Sequence, residues 1–290
     1  MDWMETIRSA ISYIENHIIE EITIEQIAEH VHISPFYFQK GFSLLCGYTI
    51  SEYIRNRRLS LAGSELVSTD AKVIDIAMKY GYDSPDSFTK AFTRFHKVTP
   101  TAVRKEGAVI KCFAPLKVKI LLEGGFSMDY KIMKKEAFTI LGVAKVISYD
   151  ESYKQCPEFW EEFYETGKGR YICGMYGVGK DENSKDGQFK YMIADNYDPL
   201  KEIPEGFETM VIPALTWAVF PCKGPMPATL QEVNSKIYSE WLPMNKEYEI
   251  AADYSIEYYS DIGKYEKGSQ DENYYSEVWM PIKMIDAKEE

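Results

Sequence analysis

This 290-residue sequence predicts two domains of different class: an all-α N-terminal domain built on two helix-turn-helix units, then an α+β domain of two β-α-β-β repeats. Three observations carry the prediction. The length and a 45% apolar content allow two separate cores. Residues 1–106 repeat one set of helix-start signals fifty positions apart. From Gly107 onward the pattern turns to strand-like alternation, and the acidity concentrates there, with 21 basic and 31 acidic side chains against 12 and 14 in residues 1–106. Domain bounds are expected at 1–107 and 128–286, with a linker at 108–127.

Each element follows from local chemistry. Ile7, Ile11, Ile14 and Ile18 lie at helical spacing and predict a helix over about 2–19. Thr23 with Gln26 three residues later is a capping box, and Ser34-Pro35 sets an N-cap before a proline in the first turn. Two short helices, about 24–31 and 35–46, are therefore separated by a turn at His32-Ile33. The second unit repeats this with Val73, Ile74 and Ala77 on its first helix, Gly81 in the turn and Ser84-Pro85 starting a helix to about 96. Aligning the Ser-Pro pairs sets Phe38 against Phe88, Lys40 against Lys90 and Phe42 against Phe92. TISEYIRNRRLSLAGSEL reads as the helix connecting the units, and Thr99-Pro100 opens a short basic helix ending at Arg104-Lys105.

The segment SFTKAFTRFHKVTPTAVRK, residues 87–105, holds five Lys or Arg and no acid in a chain with 33 basic and 45 acidic residues. Carboxylates are absent where a surface lies along phosphates, because each would be repelled. On the second helix of each unit the first two turns face base edges, which exposes Phe36, Gln39, Lys40 and Ser43 in the first unit and Asp86, Ser87, Lys90 and Arg94 in the second. Gln39 suits adenine, Lys40 and Lys90 suit guanine, and Phe36 suits a thymine methyl. Asp86 either accepts from a cytosine amino group or caps its helix. The stripe Phe38, Phe42, Phe88, Phe92 turns inward as core.

YIRNRRLSLA followed by DIAMKYGYDSPDSFTKAFTRFHKVTPTAVRK resembles the DNA-binding domain of the AraC/XylS family of bacterial transcription regulators, over about residues 5–106. The resemblance implies double-stranded DNA as a partner, and a structural role for arginines of the YIRNRRL segment, so Arg58 is not assigned to DNA. His32 departs from the family pattern, which often has glycine in that turn, and histidine tolerates the required backbone less well.

In the second half GAVIKCFAPLKVKILLEGGF sets Val118, Ile120 and Leu122 in alternation with lysines, a strand-like link, with a hinge at Gly124-Gly125. Strands are expected near 129–135, 138–147, 172–179, 188–196, 208–222, 250–260 and 274–284, and helices near 156–166 and 227–241. Two β-α-β-β halves facing each other would leave a groove. This arrangement, from MDYKIMKKEAFTILGV to YYSEVWMPIK, resembles the GyrI-like effector-binding domain over about 128–284. Along the last strand Tyr275, Glu277 and Trp279 share one face, opposite Val278, Met280 and Ile282. Glu257 with Tyr259 repeats the motif, and Tyr191 takes the corresponding place in the first half. A carboxylate among aromatic rings holds lipophilic cations, with cation–π contacts of roughly 0.5–2 kcal/mol each. The resemblance implies that a glutamate on the last strand does this, making Glu277 the first candidate, with Trp160 and Trp217 as further lining.

Other classes are disfavoured. The five cysteines form no C-x-x-C pair, no cofactor or metal is called for, and GMYGVGKDENSKDG lacks phosphate-loop spacing and reads as a hairpin. Some relatives of the second module act as hydrolases with a pocket glutamate as base, but all four histidines (17, 30, 32, 96) lie in the first half. No run of eighteen apolar residues exists, and the N-terminus is charged, so a soluble cytoplasmic protein with no membrane partner is expected. The expected mechanism is that a small-molecule effector alters the mutual orientation of the domains or their contact with RNA polymerase.

Overall fold

The structure is a computed structural model that describes residues 3–105, 108–118, 128–181 and 187–285. It divides into one unit of Met4–Leu121 and a second of Met1–Trp3 with Leu122–Glu290.

The first unit is helical. Its elements are α1 (Trp3–Asn16), α2 (Ile24–His30), α3 (Pro35–Cys46), α4 (Ile50–Ser68), α5 (Val73–Lys79) and α6 (Pro85–His96). The capping box at Thr23 forms, and Ser34 and Ser84 accept from the third backbone N–H of α3 and α6, as their sequence positions dictate. A second capping box, Thr49 with Glu52, starts α4. Phe38, Phe42, Phe88 and Phe92 are fully buried, which places the phenylalanine stripe in the cores. The expected basic helix after Thr99-Pro100 is only a single turn, Ala102–Arg104, and Arg104 donates to the Ala71 carbonyl.

The two turns differ in a way the fifty-residue repeat conceals. His32 and Gly81 each follow the last residue of the first helix by two positions and both have positive φ, 56° and 80°. The second turn is thus one residue longer. His32 bears the left-handed backbone that Gly81 adopts at no steric cost. His32→Gly is therefore expected to stabilise this unit by about 1 kcal/mol, read as a rise in the urea midpoint of the helical signal.

Residues 108–118 contain no strand and pack on the helical unit. Lys111 N–H donates to His96 Nδ1 (3.1 Å), Phe113 N–H to Ser60 Oγ (2.9 Å) and Leu116 N–H to Tyr53 OH (3.3 Å). The rest of the expected link, including Gly124-Gly125, lies outside the described residues. His96 is buried, and its Nε2–H donates to the Leu59 carbonyl (2.9 Å), so the ring is held as one neutral tautomer. Burial pushes its pKa down. The unfolded chain then binds a proton near pH 6.5 that the folded chain does not, so stability falls as pH drops below that value. A denaturation midpoint that declines between about pH 7.5 and about pH 5.5, with a smaller decline in His96→Gln, is the expected result.

The second unit holds β1 (Lys131–Lys135), β2 (Phe138–Ser148), α7 (Ser152–Glu165), β3 (Tyr176–Lys180), β4 (Gln188–Asn196), β5 (Glu208–Ile212), β6 (Leu215–Lys223), α8 (Ala228–Lys236), β7 (Tyr248–Ile250), β8 (Tyr254–Tyr259) and β9 (Tyr275–Met284). The two halves do not face each other. They join edge to edge in one antiparallel sheet of order β1-β6-β9-β8-β3-β4-β2-β5, with β7 beside β9. β3 and β8 meet at the centre with Val178 opposite Ile256, and β1 and β5 each cross to the other half's edge. The expected strand 208–222 is broken at Pro213, which lacks a ladder donor, and that break lets β5 and β6 go to opposite ends of the sheet. α7 starts four residues before the expected position and contains Pro157.

Candidate functional site

In the helical unit α6 presents Ser87, Lys90 and Arg94 to solvent on one face, with Asp86 also exposed. Asp86 does not cap this helix; Ser84 does, and the Ser87 hydroxyl lies 2.9 Å from the Ser84 carbonyl it donates to. α3 differs. Lys40 and Ser43 are half-buried, but Phe36 and Gln39 are 2% and 6% exposed, so the expectation that they face bases is corrected. The reason is compositional. PFYFQKGFSLLC is apolar on nearly every side and buries most of its circumference, whereas PDSFTKAFTRFH has a polar face. Arg57 and Arg58 are structural. Arg57 donates to both Glu15 oxygens (2.8 Å each) and to the Phe113 carbonyl, and Arg58 donates to the Ile18 (2.8 Å) and Glu20 (2.5 Å) carbonyls.

In the second unit the eight sequence candidates fall on opposite faces of the sheet. Glu277 pairs with Tyr258 and Trp279 with Ile256 across β8 and β9, whereas Glu257 pairs with Val278. Tyr275, Glu277, Trp279 and Trp217 therefore share the face of Val178, Met192 and Ile256, while Glu257, Tyr259 and Tyr191 share the face covered by α7 and α8. The residue of the first half that corresponds to Glu277 is Lys190, opposite Lys180 as Glu277 is opposite Tyr258. The match to Tyr191 was one residue out of register.

Glu277 is 6% exposed and its oxygens are occupied. One accepts from Lys131 Nζ (2.9 Å) and Tyr275 OH (2.6 Å), the other from Trp279 Nε1 (2.7 Å). Burial raises its pKa, but the Tyr275, Lys131 and Trp279 donors outweigh it and hold the carboxyl below its ordinary value. Lys131 had no place in the sequence reading, since nothing local ties β1 to β9. Trp217 lies fully buried beside Trp279, ring centroids 6.0 Å apart.

Glu257 is differently placed. Its Oε2 accepts from Tyr259 OH (2.8 Å) and Tyr191 OH (3.0 Å), and Trp160 Nε1 on α7 donates to Tyr191 OH (3.0 Å). Trp160 also packs edge-on to Tyr259 at 5.1 Å and stacks on Tyr164. Burial and the Glu257 carboxylate push the Tyr191 and Tyr259 hydroxyls well above ordinary tyrosine values, so both stay protonated donors. Glu257 is half-buried and forms no ion pair with any described residue. The Tyr191 hydroxyl lies directly over Gly177, opposite Glu257: a Cβ there would lie 2.3 Å from Tyr191 OH. The signal for this in the sequence is YGVGK, two glycines two apart on one strand face. α7 packs on β2 and α8 on β6 and β9, and Trp160 of α7 reaches over to Tyr191 and Tyr259. Among the described residues no His, Cys, Asp and Glu group is arranged to hold a metal, and no helix is long and apolar enough to cross a membrane.

A double helix-turn-helix unit followed by an antiparallel sheet with α7 and α8 on one face defines a two-domain chain, a helix-turn-helix domain joined to a separate α+β domain. The chain belongs to the integron-associated effector binding protein family, whose model matches residues 131–282, and carries an AraC-type helix-turn-helix domain matching residues 27–106. It is 29% identical over 198 residues to the right origin-binding protein of Escherichia coli K12, covering 64% of this chain and 65% of that one. It is 36% identical over 92 residues to the HTH-type transcriptional activator AarP of Providencia stuartii, covering 32% and 68%. The solved structure of SAV2435 bound to tetraphenylphosphonium aligns with a TM-score of 0.47 and 20% identity, over 54% of this chain and 94% of that one. The chain spans less than two thirds of the length of the first of these relatives.

Proposed function

We propose that this protein is a sequence-specific DNA-binding transcription regulator whose second unit binds a small lipophilic cation at Glu257. One contrast carries the reading: α6 exposes Lys90 and Arg94 with no ion pair between them and any described acid, while Glu257 is a carboxylate with aromatic neighbours and no cation. On α6, Ser87, Lys90 and Arg94 reach the major groove; on α3, Lys40 and Ser43 are the candidates that retain accessible surface. In the second unit, the cation pairs with Glu257 against the rings of Trp160 and Tyr259, with Tyr191 fixing the carboxylate. Glu277, Tyr275, Trp279 and Trp217 support the sheet from the other face. Effector binding then changes the orientation of the units or contact with RNA polymerase.

The test is selection of bound duplexes from a random pool by the full chain at near-physiological salt, beside Lys90→Ala. A recovered motif that Lys90→Ala relaxes at one position, with a loss of about 1–3 kcal/mol, is the expected result. Salt-sensitive retention blind to sequence in both proteins contradicts base reading.

A further inference from the structure

The two helix-turn-helix units end their second helices in the same way but with different residues. α3 closes at Gly47 (φ 69°, ψ 15°), whose N–H donates to the Ser43 carbonyl (3.0 Å), and α6 closes at Lys97 (φ 65°, ψ 8°), whose N–H donates to the Thr93 carbonyl (2.9 Å). Both are left-handed caps. The turn itself is required in α6, because the chain must come back for Val98 and Val103 to pack in the core of Leu59, Leu66 and Phe92. The lysine is not required. Glycine takes this backbone at no steric cost and a residue with a Cβ does not, and among the described residues only His32 and Lys97 bear a side chain at positive φ.

Nothing among the described residues offsets that strain. Lys97 is exposed, and its ammonium forms no ion pair or hydrogen bond with any of them. Arg94 already supplies a cation to the last turn of the helix, where the dipole favours one. Its position is the informative part. Ser87, Lys90, Arg94 and Lys97 recur at steps of three and four residues, so Lys97 prolongs the exposed line of α6 about 10 Å beyond Lys90. At positive φ the Cβ of an L-residue takes the direction that the carbonyl carbon has in a helical residue. The side chain therefore carries on along the course of α6 while the main chain turns away, and no acid lies in residues 87–105 to draw it elsewhere.

We propose that Lys97 is a phosphate anchor for DNA: it grips the backbone of the duplex beyond the bases that Ser87, Lys90 and Arg94 address, and the strained cap is kept because it aims the ammonium there. This rests on the reading of α6 as the groove-facing helix and adds to it a contact that is blind to sequence.

The test compares wild type, Lys97→Gly and Lys97→Arg, as full chains, on a random-sequence duplex and on the motif duplex selected from the pool, by fluorescence anisotropy over a range of salt concentrations. Loss of one phosphate contact lowers the salt slope by about 0.9, so Lys97→Gly is expected to bind both duplexes about fivefold less tightly at physiological salt, and Lys97→Arg to keep the wild-type slope. In the same variant the urea midpoint of the helical signal should rise, the opposite of what losing a structural lysine does. A lowered midpoint in Lys97→Gly, an unchanged salt slope, or a loss confined to the motif duplex overturns the anchor. Sequence-blind retention by the wild type overturns base reading alone, and the slope on the random duplex then still decides for or against Lys97. Failure of the wild type to retain either duplex overturns both.

Discussion

Replacing Glu277 by alanine is expected to cost the second unit about 3 kcal/mol. The carboxylate accepts three hydrogen bonds within 2.9 Å, and two of the donors, Tyr275 and Trp279, come from its own strand. Removing it leaves the buried Trp279 N–H without an acceptor and an empty volume beside Trp279. Lys131 itself loses little, because its side chain is 60% exposed and water replaces the carboxylate. Glu277→Gln keeps an acceptor for Trp279 and should cost roughly half as much. Urea unfolding followed by tryptophan fluorescence distinguishes the two; equal midpoints for wild type and Glu277→Ala would show that the network stabilises nothing.

Arg57→Ala is expected to cost the helical unit a similar amount, about 3 kcal/mol, by a different route. Arg57 is buried and joins α4 to two segments distant in sequence: Glu15 at the end of α1 through two bonds, and Phe113 through its carbonyl. Tyr53 OH donates to the same Glu15 at 2.7 Å, so truncation leaves a half-shielded carboxylate with one donor where it had three. Arg57→Lys should recover only part of the loss, since an ammonium cannot fork onto both oxygens. The measurement is the midpoint of helical circular dichroism in urea, and DNA retention should fall with it, because α4 spaces the two helix-turn-helix units. An unchanged midpoint would mean that the residues 108–118 strap is held by its other bonds alone.

Both predictions concern features that the sequence showed unequally. The caps at Thr23, Ser34 and Ser84 were legible because an N-cap acts on a backbone N–H three residues away, and the phenylalanine stripe because helix periodicity is local. The burial of Phe36 and Gln39 was not, since the number of sides on which a short helix is covered is decided by tertiary packing. In the sheet, alternation correctly put Tyr275, Glu277 and Trp279 together. Alternation inside one strand cannot say how it registers with the next, and a shift of one residue moves a side chain to the other face. Glu257 and Glu277 consequently read as one cluster and lie on opposite faces of the sheet. The ion pair of Lys131 with Glu277 spans 146 positions and leaves no trace in either local pattern.

That separation gives the assignment of the cation to Glu257 a direct test, because the two glutamates differ in what they already hold. Tetraphenylphosphonium binding to the full chain, measured calorimetrically for Glu257→Gln and Glu277→Gln side by side, tests it most directly. The expected result is at least a tenfold loss of affinity, about 1.4 kcal/mol, in Glu257→Gln, with near wild-type affinity and a lowered melting temperature in Glu277→Gln. Full affinity in Glu257→Gln with a loss confined to Glu277→Gln would place the cation on the opposite face of the sheet and contradict it.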